Sequence, residues 1–193
     1  MKLHLPATLL AMVCGALLSG CSLSQPAVPV TTFSDSNVLA MLDTINLSEI
    51  NAASLARQKA SSPDTRMFAA RMLNEHTRML QQMRHLARRI HIQPQPPALA
   101  LQATKTHQTT MEELRNLSDR DFDRAYLKYQ IRMHEQALNL VQDTARSVES
   151  PQLQQHLRQA HPDLEGHLSA AKAIERQLVA QYLTFRGGLS SKK

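Results

Sequence analysis

The sequence predicts an all-α chain, a bundle built from two helical hairpins. From Phe33 onward apolar residues recur at three- and four-residue spacings over long stretches, with few glycines and almost no alternating β-branched runs. Two Ser-Pro pairs, Ser62-Pro63 and Ser150-Pro151, each stand between two such stretches and mark helix starts. The two halves therefore share one plan: a long helix, a tight turn carrying Ser-Pro, and a second long helix.

The chain opens with a segment that does not belong to the bundle. Lys2 is followed by an apolar run from Leu5 to Leu18, interrupted by Pro6, Thr8 and Gly15. Such a run is too short to span a bilayer as a stable helix and has the pattern of a signal peptide. It closes on Leu18-Ser19-Gly20-Cys21, which resembles the bacterial lipobox, where small residues admit the peptidase and the cysteine thiol accepts diacylglycerol. The other cysteine, Cys14, lies inside the cleaved segment, so the mature chain is expected to keep no free thiol. Each buried methylene of an acyl chain, palmitate for instance, contributes about 0.8 kcal/mol, so several chains at Cys21 hold a protein to a membrane without a transmembrane helix. Ser22 stands where an inner-membrane retention signal usually has Asp. That favours the outer membrane, with the bundle in the periplasm. Residues 22–32, with Pro26 and Pro29, have the composition of a tether. The expected organisation is a signal peptide at 1–20, a lipidated N-terminus and tether at 21–32, the bundle at 33–184 and a basic tail at 185–193.

Removing residues 1–20 from the 193 leaves 173, enough for one domain with a substantial core. The removed part holds Lys2 and no acid, so the net charge falls from +6 to +5. Lys and Arg are scattered along an exported chain, which argues against nucleic acid as a partner. The charge suits solubility, or attraction to an anionic lipid surface.

Cap chemistry places helices at about 36–60, 63–91, 98–117, 120–148 and 151–184. Ser62-Pro63-Asp64 supplies an N-cap oxygen, a proline where its missing N–H costs nothing, and an acid at the positive end of the helix dipole. Ser118 with Asp121 resembles a capping box. Pro94, Pro96 and Pro97 end the second helix. The short third segment, about 20 residues or about 30 Å as a helix, is long enough to run back along the bundle. A crossover of that kind belongs to a ferritin-like four-helix bundle.

Polar residues interrupt each apolar stripe, and a buried polar group is costly without a partner. Glu49 breaks the stripe of Val38, Leu42, Ile45, Ala53 and Ala56, and His76 stands between Met72 and Met79, with Met83 beyond. His134 lies among Ile131 and Leu138, and His167 between Leu164 and Leu168. The midpoints of the four long helices fall at roughly residues 48, 77, 134 and 168, and midpoints share one height whichever way neighbours run. Glu49, His76, His134 and His167 are therefore expected to meet at one level. Three imidazoles and a carboxylate suffice for copper, iron or zinc, and the thioethers of Met72, Met79 and Met83 would suit copper(I). The Glu-x-x-His pairs of di-iron bundles are absent, since Leu73, Ile131 and Leu164 occupy the preceding positions. The competing reading is a polar network in which Glu49, Glu75, Glu135 or Glu165 pairs with the histidines and fixes helix register, the methionines being core filler. His85, His91, His107, His156 and His161 are expected at the surface or at helix ends.

Phe33 at the first helix, Ser-Pro-Asp before Phe68-Ala69-Ala70-Arg71-Met72-Leu73-Asn74-Glu75-His76-Thr77, Asp121-Phe122-Asp123-Arg124-Ala125-Tyr126 with His134-Glu135, and Glu165-Gly166-His167-Leu168 together resemble the family called domain of unknown function 4142. The resemblance covers about residues 33–178 and implies a ferritin-like fold in an exported bacterial protein, often an outer-membrane protein or lipoprotein. It implies no particular activity. Its histidine motifs match His76, His134 and His167, while Asn51 stands where many members have a second acid beside the equivalent of Glu49. No nucleophile-base-acid motif, Gly-rich phosphate loop or paired-carboxylate spacing points to an enzyme. Metal binding and a structural role beside an envelope protein partner are the expectations the residues support.

Overall fold

The structure, a computed structural model, describes residues 33–190. The signal peptide, Cys21 and the tether lie outside the described residues, as do residues 191–193 of the expected tail. Five helices follow in order: α1 (Asp35–Lys59), α2 (Pro63–Arg89), α3 (Ala98–Asn116), α4 (Asp119–Thr144) and α5 (Pro151–Ser190). No helix among the described residues is long and apolar enough to cross a membrane.

The local chemistry accounts for most of the boundaries. Ser34, Ser62 and Ser150 accept from the backbone N–H of Asn37, Thr65 and Leu153, the third residue onward in each case, and so satisfy helix-end donors. α2 ends because His91 takes the left-handed backbone, φ 56°, while the N–H of Ile92 reaches back to the Ala87 carbonyl. That position is usually glycine or asparagine. The Ser118 capping box does not form: Ser118 makes no side-chain cap bond, and Asp119 after it has φ 51°, which turns the chain away from the geometry a box needs. α5 runs on to Ser190, past the expected end at 184.

α1 and α2 form one antiparallel hairpin and α4 and α5 the other, with α1 against α4 and α2 against α5. α3 carries the chain back along the outside of α1 and α4, which is the ferritin-like crossover. The segment before it is pinned to the start of α1 by Asn37, whose side-chain amide donates to the Gln95 carbonyl at 2.9 Å, and by Gln95 N–H donating to the Ser36 carbonyl at 3.0 Å.

Each hairpin turn is held by an aspartate from the other hairpin. Buried Asp123 of α4 accepts from Ser61 N–H (3.1 Å), the Ser61 hydroxyl (2.5 Å) and Ser62 N–H (2.8 Å) in the α1–α2 turn. Asp35 of α1 accepts from Glu149 N–H and Ser150 N–H, both at 2.8 Å, in the α4–α5 turn. Both clamps grip the two residues before the helix-starting proline, so the hairpins are fixed to each other at both ends.

Between the clamps the core is divided. One apolar cluster gathers Val38, Leu42, Met79, Met83, Leu138 and Leu157 toward the start of α1. The other gathers Ala53, Phe68, Met72, Phe122, Tyr126 and Ala171 toward its end. Fully burying a side chain such as Phe122 or Leu39 contributes about 1.5–3 kcal/mol, so these clusters carry the bundle's cohesion.

Removal of the buried clamp should cost more than removal of the half-buried one. Asp123→Ala strands two backbone donors and a hydroxyl in a closed turn and is expected to lower unfolding free energy by about 3 kcal/mol, against about 1.5 kcal/mol for Asp35→Ala. Urea titration measures both. A loss below about 0.5 kcal/mol for Asp123→Ala would mean the turn holds without its clamp.

Candidate metal centre

The gap between the two apolar clusters is a polar layer to which all four bundle helices contribute. Asn46 and Glu49 come from α1, His76 from α2, Gln130 and His134 from α4 and His167 from α5, each at most 4% exposed. The three imidazoles are packed with ring centres 5.2–5.5 Å apart, His134 edge to face with both His76 and His167, and His76 tilted against His167. One nitrogen from each ring points to a shared space: His76 Nε2 lies 3.4 Å from His134 Nε2, which lies 3.2 Å from His167 Nδ1. All three atoms lie within 4.8 Å of one another.

The outward nitrogens settle where the protons are. His134 Nδ1 faces the Gln130 carbonyl at 2.9 Å, and a carbonyl only accepts, so Nδ1 carries the hydrogen. His76 Nδ1 faces Asn46 Oδ1 at 2.9 Å. Asn46 cannot flip without loss, because its amide nitrogen donates to the Leu42 carbonyl at 2.9 Å. His76 Nδ1 is therefore a donor too. His167 Nε2 donates to Glu75, whose other oxygen accepts from Arg71 Nε at 2.9 Å. Burial pushes the Glu75 carboxyl up, but its bonds to Arg71 and His167 outweigh that and hold it below its ordinary range, ionised and accepting. Each ring thus keeps its proton on the outside and turns a lone pair inward.

Three lone pairs facing one another in dry interior repel unless they share an electrophile. Two nitrogens held 2.0–2.1 Å from one ion at tetrahedral to trigonal angles stand roughly 3.3–3.6 Å apart, close to the two separations found here. Outer hydrogen bonds that fix the tautomer are also what metal-binding histidines require. A proton is the poorer candidate: it joins one pair of nitrogens and leaves the third facing them. Burial and the neighbouring imidazoles push the His76 pKa well below its ordinary value, and burial lowers that of His167.

The sequence-predicted residues fall into distinct places. Glu49 reaches the layer but stands behind His134, its Oε1 3.7 Å from the outward Nδ1, while its Oε2 accepts from Gln130 Nε2 at 2.6 Å. It is not among the groups whose ligand atoms converge. Burial raises its pKa, against the pull of His134 and Gln130. Its Oε1, the Gln130 Oε1 and the Tyr126 hydroxyl are buried without a hydrogen-bond partner. Glu135 is at the surface, paired with Lys172 at 2.7 Å. Met72 belongs to one apolar cluster, and Met79 and Met83 to the other, above and below the layer that holds His76. Asn46 and Gln130 were not read from the sequence, and Glu75, expected among four acids to pair with a histidine, is the one that holds His167. Asn46 could have been found, since it falls four residues after Leu42 on the buried stripe of α1.

His107, expected at the surface or a helix end, is buried on α3, 9% exposed. Ala100, His107, Met111 and Leu114, at spacings of seven, four and three, form the face that α3 turns to the bundle.

A family model described as Domain of unknown function (DUF4142) matches residues 21–174. Among solved structures, CopM in the Cu(II)-bound form is 15% identical, with a TM-score of 0.55 over 80% of this chain and 99% of that one. A putative secreted protein DUF305 from Streptomyces coelicolor is 12% identical, with a TM-score of 0.58 over 80% of this chain and 94% of that one. Likeness at these identities is likeness of fold. No curated protein matches the chain.

The buried acid sets a pH dependence for the metal-free protein. The unfolded Glu49 carboxyl ionises near 4.5 and the folded one higher, so the unfolded state releases its proton first. Its contribution to stability is therefore lost as pH rises from 4.5 through the folded pKa. In chelator, the melting temperature of the natural protein should fall relative to Glu49→Gln across that rise. A constant difference between the two from acid to neutral pH would show that Glu49 is not a strained buried acid.

Proposed function

The chain belongs to the Domain of unknown function (DUF4142) family, and from that premise and its converging imidazoles we propose a lipid-anchored envelope protein whose bundle binds one transition-metal ion at mid-height. The observation that carries the metal is the set of three inward lone pairs on His76, His134 and His167, each fixed by an outward partner. Copper is the first choice. The three donors are neutral imidazoles with no carboxylate converging on the same point, and imidazole sites favour copper(II) most among first-row divalent ions, with zinc and iron behind it. The Cu(II)-bound form of CopM supplies a copper precedent on a similar fold. Enclosure of all three rings, at most 1% exposed, suits holding an ion rather than turning over a substrate, which needs an open coordination position.

The anchor is the second part of the proposal. Cys21 closes the lipobox-like run, and the family match starts at residue 21, where cleavage would begin the mature chain. A secreted protein of similar fold fits export. The outer membrane, with the bundle in the periplasm, is the destination that Ser22 after the lipidated cysteine favours.

The full chain carrying Cys21→Ser, exported and purified natively, should hold one equivalent of metal by elemental analysis, or take up one equivalent of copper when it is added. His76→Ala should lose it. Asn46→Ala and Glu75→Gln should fold and bind about 10–100-fold more weakly, as loss of an orienting partner does. A protein that takes up no copper, zinc or iron, or outer-partner variants that bind as tightly as the parent, would leave the layer a polar network only. Palmitate labelling of the natural chain and not of Cys21→Ser tests the anchor.

A further inference from the structure

α3 does not seal against the bundle along its whole length. Between it and helices α1 and α4 lies an elongated, half-open cavity of about 450 Å³. Its lining on α4 extends from Tyr129 to Asp143, roughly 21 Å of helix at 1.5 Å per residue. The walls are mainly apolar, with Phe33, Met41, Ile45 and Leu140 facing it.

One end differs. His107 lines the cavity there, its Nδ1 2.6 Å from the Tyr129 hydroxyl. Burial pushes the Tyr129 phenol far above its ordinary range, so it keeps its proton and is able to donate it to Nδ1. Nε2, the other ring nitrogen, is buried and has no partner; with Tyr129 donating to Nδ1 it carries the hydrogen, the tautomer that an incoming acceptor selects. Beside it Arg132 lies with its guanidinium carbon 6.0 Å from the Tyr129 ring centre, exposed and without an ion pair among the described residues. A buried ring nitrogen without a partner and a guanidinium without an ion pair among the described residues stand at the mouth of an apolar trough. That is the complement of a carboxylate on a long apolar chain.

We propose that this cavity binds a free long-chain fatty acid, its carboxylate between His107 Nε2 and Arg132 and its chain lying along α4 toward Phe33. The free acid is the ligand because a neutral ester presents no anion to Arg132, and the single trough has room for one chain and not for the paired chains of a phospholipid. The site is separate from the histidine layer and stands or falls without the metal.

Palmitate titrated into the full chain carrying Cys21→Ser should bind saturably at one equivalent, and its methyl ester at least about tenfold more weakly. Arg132→Gln, at an exposed position, and His107→Leu should each weaken palmitate by about tenfold, the worth of one charge-assisted hydrogen bond. Ala103→Trp, on the cavity wall, should abolish binding while leaving metal content unchanged. No saturable binding, equal affinity for acid and ester, or wild-type affinity in Arg132→Gln would each overturn the proposal.

Discussion

Three imidazole nitrogens whose protons are drawn outward face one another in an interior that excludes water, and the rest of the bundle is arranged around that constraint. Nothing apolar would require it: three leucines in the layer would pack without unpaired groups, and replacing buried polar sets by apolar ones is often neutral or stabilising. The layer instead interrupts what would otherwise be one continuous core, dividing it into the cluster around Leu42, Met79 and Leu157 and the cluster around Phe68, Phe122 and Tyr126. Those clusters supply the cohesion that tolerates the interruption. They also keep water from the inward nitrogens, so that their repulsion is not screened and an electrophile placed among them is bound strongly.

Convergence of side chains from four helices demands a register that apolar packing alone does not fix. A one-residue slip of a helix moves a side chain by about 1.5 Å along the axis and about 100° around it, enough to take an imidazole out of the layer. The two aspartate clamps prevent that slip. Asp123 ties α4 to the α1–α2 turn and Asp35 ties α1 to the α4–α5 turn, at opposite ends of the bundle, with the histidines midway between. The Ser-Pro turns thus act twice: they start α2 and α5, and they offer the backbone N–H groups that the aspartates hold.

This is also why so much of the fold, and the height of the layer, was legible in the sequence. Serine caps and prolines mark helix ends, ends give midpoints, and polar breaks at four midpoints predict one layer. The helix expected at 98–117 is Ala98–Asn116 for the same reason. What could not be read was atomic direction. Periodicity places Glu49 in the layer but does not say that it lies behind His134, and it does not distinguish Glu75 as the residue that holds His167. α2 ends at Arg89, two residues before the expected 91, because His91 adopts left-handed backbone without glycine to announce it, and α4 ends at Thr144 where 148 was expected. His107 was misplaced because its face of α3 is narrow and surrounded by polar residues such as Gln108 and Thr109.

The position of the two acids explains why a Glu-x-x-His motif is missing from a centre proposed to hold a metal. In such motifs the carboxylate touches the ion. Here Glu75 and Glu49 each stand one imidazole away, the first hydrogen-bonded to His167 and the second 3.7 Å from His134. Three neutral rings directly on a divalent ion leave its charge uncompensated, and an uncompensated charge in dry interior is costly. Carboxylates behind the rings reduce that cost through the imidazoles without filling a coordination position. Glu75 is already shared with Arg71, whereas Glu49 has an oxygen with no hydrogen-bond partner, so Glu49 is the one whose surroundings an ion in the layer would improve most. A buried acid beside a histidine cluster, left half-satisfied by its own fold, is the arrangement expected of a site completed by a cation.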